Sequence, residues 1–359
     1  MYRISKLEQI LNKRYCLLTK SGSTALYLIL KILDIKNKYI AVPANVCFEV
    51  VIIVILSGNK PLSIDIDKNF NLSFKKLKRI KSKKLAAIIY PYMYGNYGDI
   101  FKIKKFANNN KIYFIEDIAP SLGLKFRNFY AGSMSNFSFS SFGTGKIIDM
   151  GIGGSINLNS EEFYQRTKYE YSKLKLFSKK LKETDDELNN TYLKIINKKK
   201  NKKEFSQKKL NKFKDCLVSQ YNFKKNFVKN LNFKISNLSK INDMRNKKAN
   251  LFEKIIKNPN IKFVKHKKGA VYWRKNALLK KNRDELHQYL ISKKIYARKF
   301  YPCHSNIFPF VSKKNLNFAR KVESKILNFW PGNETSAGEI KIINKFINFF
   351  YNKKKISSK

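Results

Sequence analysis

Two periods alternate along the first half of the chain. The short apolar, β-branched runs "YCLLTK", "KYIAVPA", "PLSIDID", "LAAIIYPYMYG" and "KIYFIEDIA" read as strands. Between them, "STALYLILKILDI", "CFEVVIIVILSG" and "DIFKIKKFANNN" place apolar residues at helical spacing, the second run stopping at Gly58. Strand and helix in alternation predict an α/β domain with a mainly parallel sheet. "NFSFSSFG" and "GGSINLN" predict two more strands, on either side of Lys146.

The pattern changes near residue 160. A lysine-rich stretch, placed at about 165–228, carries apolar residues at helical spacing and predicts amphipathic helices joined by an exposed "NKKKNKKEF" turn. A long helix over 235–257 is predicted to lead into a smaller C-terminal α+β unit. There "AVYWRKNALL" and "IYARKFY" read as strands, "NRDELHQYLISKK" as a helix and "SAGEIKIINKFINFFYNKKK" as the closing helix. With 359 residues the chain has room for two domains, expected at 1–240 and 241–359.

Charge changes this picture little. Lys and Arg number 75 against 25 Asp and Glu, a formal charge of +50, which would ordinarily point to nucleic acid or an anionic membrane. Lys, Asn, Ile, Phe and Tyr are all abundant while Arg is scarce, the bias that AT-rich codons produce without selection for binding. Sequence-specific phosphate readers favour the arginine fork, so no specific nucleic-acid partner is expected. The cysteines, at 16, 47, 216 and 303, form no CxxC pair and imply neither a disulfide framework nor a metal site. "MYRISKLEQILNKRYCLL" lacks the form of a secretory signal, and "VPANVCFEVVIIVILSG" is too short and too polar to be a transmembrane segment. A cytoplasmic setting is expected.

The chemistry centres on "FGTGKIIDMGIGG", residues 142–154. It is not a P-loop, because Gly143 and Gly145 are too close and Ile147 follows the lysine. "GIGG" also lacks the last glycine of a dinucleotide fingerprint. Two other stretches give Lys146 a context. "IYFIEDIAPSLG" sets Glu116 and Asp117 at the carboxyl end of an apolar strand, where open α/β sheets build their sites. "TKSGSTAL" passes from strand through a glycine turn to a helix whose first turn holds Ser23 and Thr24, a geometry that binds phosphate. Singly the lysine reads equally well as a loop residue, and the acids and the serine read more often as helix caps. Together they offer an amine to an aldehyde, a carboxylate to a ring nitrogen and a cradle to a phosphate, the needs of pyridoxal 5'-phosphate.

The blocks "SGSTAL", "VPANVCFEVV", "GNKPLSIDID", "YMYGNYGDI", "IEDIAPSLG", "SFGTGKIIDMGIGG", "YWRKNALLKKNRDELHQYL" and "ILNFWPGNETSAGEI" resemble, in order, those of the DegT/DnrJ/EryC1/StrS family of sugar aminotransferases. The resemblance implies a fold type I architecture with a seven-stranded-type sheet, pyridoxal phosphate as cofactor, and amination of a keto group on a nucleotide-linked deoxysugar with glutamate as donor. It implies a role in surface polysaccharide or lipopolysaccharide synthesis, and a homodimer. Lys146 takes the Schiff-base position, Asp117 the partner of the pyridine nitrogen, and Ser141, Ser23 and Thr24 the phosphate contacts. "NFK" implies that Asn232 reaches the phosphate of a partner subunit. The aromatic that stacks on the ring falls at Cys47 or, with a slip of one, Phe48. Tyr92 stands where relatives often carry histidine, His304 lies in a block that lines their sugar site, and Pro120 replaces a glutamine. Some relatives are dehydratases with histidine at the lysine position. Keeping Lys146 argues against that activity, and keeping Asp117 as well argues against a basic binding protein built on a retired enzyme fold.

Overall fold

The computed structural model describes residues 1–80, 83–332 and 334–356. Nine strands fall in the first half: β1 Tyr15–Thr19, β2 Tyr39–Pro43, β3 Lys60–Ile64, β4 Leu85–Pro91, β5 Tyr113–Asp117, β6 Lys125–Phe126, β7 Phe129–Tyr130, β8 Phe137–Ser141 and β9 Gly154–Leu158. Seven of them form one sheet in the order β1-β9-β8-β5-β4-β2-β3, while β6 and β7 form a separate hairpin. β9 runs antiparallel to both neighbours and the other pairings are parallel. This is the mainly parallel α/β sheet the alternation predicts.

Strand direction determines where chemistry can gather. Asp117 pairs with Pro91 and Phe139, while Ser141 and Thr19 both pair with Gly154, so all lie along one edge of the sheet. The helix Gly22–Ile32 begins at that edge, capped by Ser21, whose Oγ accepts the Thr24 N–H at 3.1 Å. Its flanks are almost wholly buried, as the apolar run requires. A Cβ on Gly154 would come within 2.4–2.6 Å of the Ser21 and Gly22 backbone. Glycine there lets the start of β9 lie directly against the start of the helix.

Most predicted elements form, and the exceptions have local causes. The long helix predicted over 235–257 is two helices, Lys225–Ser236 and Leu238–Ile255. Asn237 separates them, its Nδ2 donating to the Phe233 carbonyl at 2.9 Å in competition with the helical ladder. Four further strands, β10 Ile261–Phe263, β11 Lys275–Leu279, β12 Ala297–Arg298 and β13 Ile326–Phe329, make an antiparallel sheet in the order β10-β11-β13-β12. Only 275–279 of "AVYWRKNALL" is strand. Before it, Val271 N–H donates to the Gly95 carbonyl at 2.9 Å, and Arg245 takes the Tyr272 and Trp273 carbonyls at 2.9 and 2.7 Å, leaving no ladder to join. "IYARKFY" likewise shrinks to two residues, and β10 and β13 are strands that periodicity did not single out.

The lysine-rich stretch folds as Glu161–Ser172, Lys179–Ile196 and a series of short turns. Its "NKKKNKKEF" turn is exposed except at the end, where Phe205 is fully buried. Phe205 stacks between Phe48 and Phe308, with centroids 6.0 and 5.8 Å away, and Tyr192 stacks on Phe48 at 4.0 Å. Aromatic burial thus fastens this segment to the main core despite its charge. A second core, including Phe252, Leu286, Leu327, Phe329 and Ile347, lies in the C-terminal part of the chain. The main core itself takes in Trp273, Cys303 and Phe308.

Candidate active site

The edge that carries Asp117 and Ser141 opens into a cavity of about 480 Å³. Glu116 and Asp117 are adjacent, and strand alternation sends their side chains to opposite faces. Glu116 is fully buried and accepts from Tyr92 Oη, from the Gly132 and Ser135 N–H groups at 2.8 and 2.7 Å, and from Ser135 Oγ at 2.8 Å. It is a structural acid. Asp117 lines the cavity, and its Oδ1 accepts the Ala119 N–H at 2.9 Å. Burial pushes its carboxyl up to about 6, against the opposing effects of the Ala119 N–H and of nearby Lys146.

Lys146 enters the same cavity from a loop built on glycine and aspartate. Gly145 sits at φ +77°, and its N–H donates to Asp149 Oδ2 at 2.7 Å while the Gly151 N–H donates to Asp149 Oδ1 at 2.9 Å. From outside the loop, Trp273 Nε1 donates to the Gly145 carbonyl at 2.7 Å and Lys234 Nζ to the Asp149 carbonyl at 2.6 Å. The Lys146 ammonium lies 5.1 Å from the Trp273 ring centroid.

The third component is the helix start. Ser21, Gly22 and Ser23 line the cavity beside Ser141, and the first N–H groups of the helix have no partner within it. Thr24 is different: its N–H is taken by Ser21 and its fully buried hydroxyl donates to the Leu217 carbonyl at 3.1 Å. Cys47 lines the cavity, whereas Phe48 turns away toward Tyr192 and Phe205. Burial, with Glu49 nearby, pushes the Cys47 thiol up to about 12.

Besides Thr24 and Phe48, three further residues singled out from sequence lie outside the cavity wall. Tyr92 is fully buried behind β5. His304, also fully buried, bonds Ser63 Oγ at 2.9 Å and the Val46 carbonyl at 3.0 Å, and burial pushes its imidazole down to about 4. Asn232 lies within the helix Lys225–Ser236, accepting the Lys6 N–H at 3.1 Å and donating to the Val228 carbonyl at 3.0 Å.

Other wall residues escaped sequence reasoning. Glu49 is a single acid in an apolar helix, legible only as a partner of the helix dipole. Lys182, Asp185 and Asn189 reach the cavity from the lysine-rich helix, where three- and four-residue spacing puts them on one face. That spacing was visible, but its neighbour was not. Trp273, which is not part of the wall but holds the Gly145 carbonyl, had no signal beyond its block.

An amine, a buried carboxylate of raised pKa and a helix start flanked by serines meet the aldehyde, ring nitrogen and phosphate of pyridoxal phosphate. Pro120, which lines the cavity, has no N–H to add.

The fold is that of the fold type I pyridoxal-phosphate enzymes. Residues 5–345 match the DegT/DnrJ/EryC1/StrS aminotransferase family, and the chain belongs to it. Membership of that family indicates pyridoxal phosphate as the cofactor. A GDP-perosamine synthase of Escherichia coli O157:H7 is 28% identical over 155 residues, 43% of each chain, so the aligned part spans less than half the length of that relative. Two solved structures share the fold. DesV of S. venezuelae, in complex with a ketimine intermediate, has a TM-score of 0.75 at 16% identity, covering 96% of this chain and 87% of that one. An E. coli GDP-4-keto-6-deoxy-D-mannose-3-dehydratase with bound hydrated PLP has a TM-score of 0.71 at 18% identity, covering 95% and 90%. These two likenesses concern the fold. Among the described residues no helix is long and apolar enough to cross a membrane.

Proposed function

We propose that this protein is a cytoplasmic aminotransferase that moves an amino group, with glutamate as donor, to a keto group of a nucleotide-linked deoxysugar for surface polysaccharide synthesis. The observation that carries this reading is that Lys146 and Asp117, from separate elements, line one cavity together with the start of the Gly22–Ile32 helix. When bound, pyridoxal phosphate would supply a carbonyl to take up an amine and a ring to spread the electron pair left behind when a proton is removed. Lys146 Nζ is the base and acid in this reading, moving that proton on the cavity side. Asp117 stays ionised against a protonated ring nitrogen, whose positive charge offsets the burial that raises its pKa. Ser23 and Ser141 orient the phosphate at the helix start. The resemblance to a GDP-perosamine synthase supports a nucleotide sugar as acceptor. A homodimer, with Asn232 directed to the partner's phosphate, belongs to the same reading.

Borohydride reduction followed by peptide mass analysis should find one pyridoxyl group, on Lys146. Incubation with glutamate and a panel of nucleotide-linked keto sugars should yield an amino sugar and 2-oxoglutarate. A protein that takes up no pyridoxal phosphate overturns the reading, and so does one that aminates no member of the panel.

A further inference from the structure

The phosphate end of the cavity carries a carboxylate. Glu49, in the first turn of the helix Phe48–Leu56, accepts the hydroxyl proton of Ser23 in a hydrogen bond. An acid is thereby held against the helix start that should receive the cofactor's anionic group. Its surroundings do little to neutralise it. Lys20 is a buried cation that acts on it, but its ammonium donates to the Cys216 carbonyl and lies 4.1 Å from the Phe177 ring centroid. From the lysine-rich helix, Asp185 brings a second carboxylate, and Lys182 is divided between Asp185 at 3.8 Å and Asp186 at 2.6 Å. Lys146 faces Glu49 from the glycine-rich loop, and the thiols of Cys47 and Cys216, both pushed up to about 12, complete the titratable set. Burial raises the Glu49 carboxyl and Asp185 raises it further, opposed by the Ser23 hydroxyl, Lys146 and Lys20.

A phosphate at the first N–H groups of this helix would meet an ionised carboxylate already bonded to Ser23. Like charges at such range disfavour one another, and a protonated carboxyl relieves the conflict while offering its O–H to an anion. We propose that Glu49 is a positioning residue for the cofactor phosphate and that seating the phosphate takes up one proton from solvent on its carboxyl. This rests on the cofactor reading above. Retention of the cofactor therefore weakens as pH rises.

The test is titration of the apoprotein with pyridoxal phosphate and, separately, with pyridoxal, from about pH 6 to 9, for the natural protein and Glu49→Gln. Binding is followed by absorbance of the adduct on Lys146. Proton uptake is counted by calorimetry in two buffers of different ionisation heat. Between the carboxyl's pKa in the free protein and its higher pKa in the complex, affinity of the natural protein for pyridoxal phosphate should fall relative to that of Glu49→Gln by about tenfold per pH unit. In that window the natural protein should also take up nearly one proton more with pyridoxal phosphate than with pyridoxal, a comparison that stands even if the variant fails to fold. Equal proton uptake for the two ligands, or an affinity ratio that does not change with pH, overturns the proposal and leaves the cofactor reading intact. No adduct in either protein overturns both.

Discussion

Trp273 Nε1 donates to the carbonyl of Gly145, one residue before Lys146, at 2.7 Å. A side chain 128 residues away in sequence thus fixes the backbone that aims the amine. Trp273→Phe keeps the buried ring and removes the donor. The expected result is a folded protein, less stable by about 1 kcal/mol, with turnover reduced about tenfold. Denaturant titration and kcat for the purified variant measure the two effects.

Asp117 ties catalysis to stability. Between its ordinary 3.8 and about 6 the folded apoprotein holds a proton that the unfolded chain has lost, so stability falls as pH rises through that window. Above it the penalty is constant, about 3 kcal/mol at 1.36 kcal/mol per unit. Asp117→Asn should stabilise the apoprotein at pH 8 by up to about that amount and make no difference below the window, while losing most activity. Urea unfolding at several pH values, each with an activity assay, checks both halves.

Gly154→Ala should be severe. The added Cβ would meet backbone atoms of Ser21 and Gly22 at 2.4–2.6 Å, and backbone on both sides has no rotamer to yield. Destabilisation of about 3 kcal/mol or more is expected. Differential scanning should show the lowered midpoint, and any folded fraction should bind pyridoxal phosphate weakly because the helix start has shifted from Ser141.

Phe205 joins the lysine-rich segment to the core. Phe205→Ala should cost about 3–5 kcal/mol, as large-to-small changes at fully buried aromatics do. Limited trypsin digestion should then cut within 197–215 faster than in the natural protein. An unchanged digestion pattern would mean that the lysine-rich segment is held by its other contacts.

The basic surface is expected to bind duplex DNA weakly and without sequence preference, with affinity falling steeply as salt rises. Fluorescence anisotropy at two salt concentrations, on DNA of two unrelated sequences, measures this. Tight, selective binding at physiological salt would show that the lysines serve recognition.

Local chemistry explains what was legible. β1 to β5, β8 and β9 follow from short apolar runs bounded by glycine, proline and polar residues, and the parallel sheet follows from the helices between them. Asp117 and Lys146 were readable because each lies in a short segment whose residue types serve a purpose beyond packing. Strand alternation, combined with β5 lying between β4 and β8, then decided that Asp117 meets the cavity while Glu116 faces Tyr92 and Ser135. The exchange of Phe48 for Cys47 at the wall came from the docking of Tyr192 and Phe205, more than 140 residues further along the chain. Glu49 met Ser23, and Trp273 met Gly145, by the same kind of long-range packing. Periodicity and capping act over a few residues, so the sequence alone could specify elements and the types of chemistry they carry. Which side chains share a cavity depends on how those elements pack, and only the tertiary structure decided that.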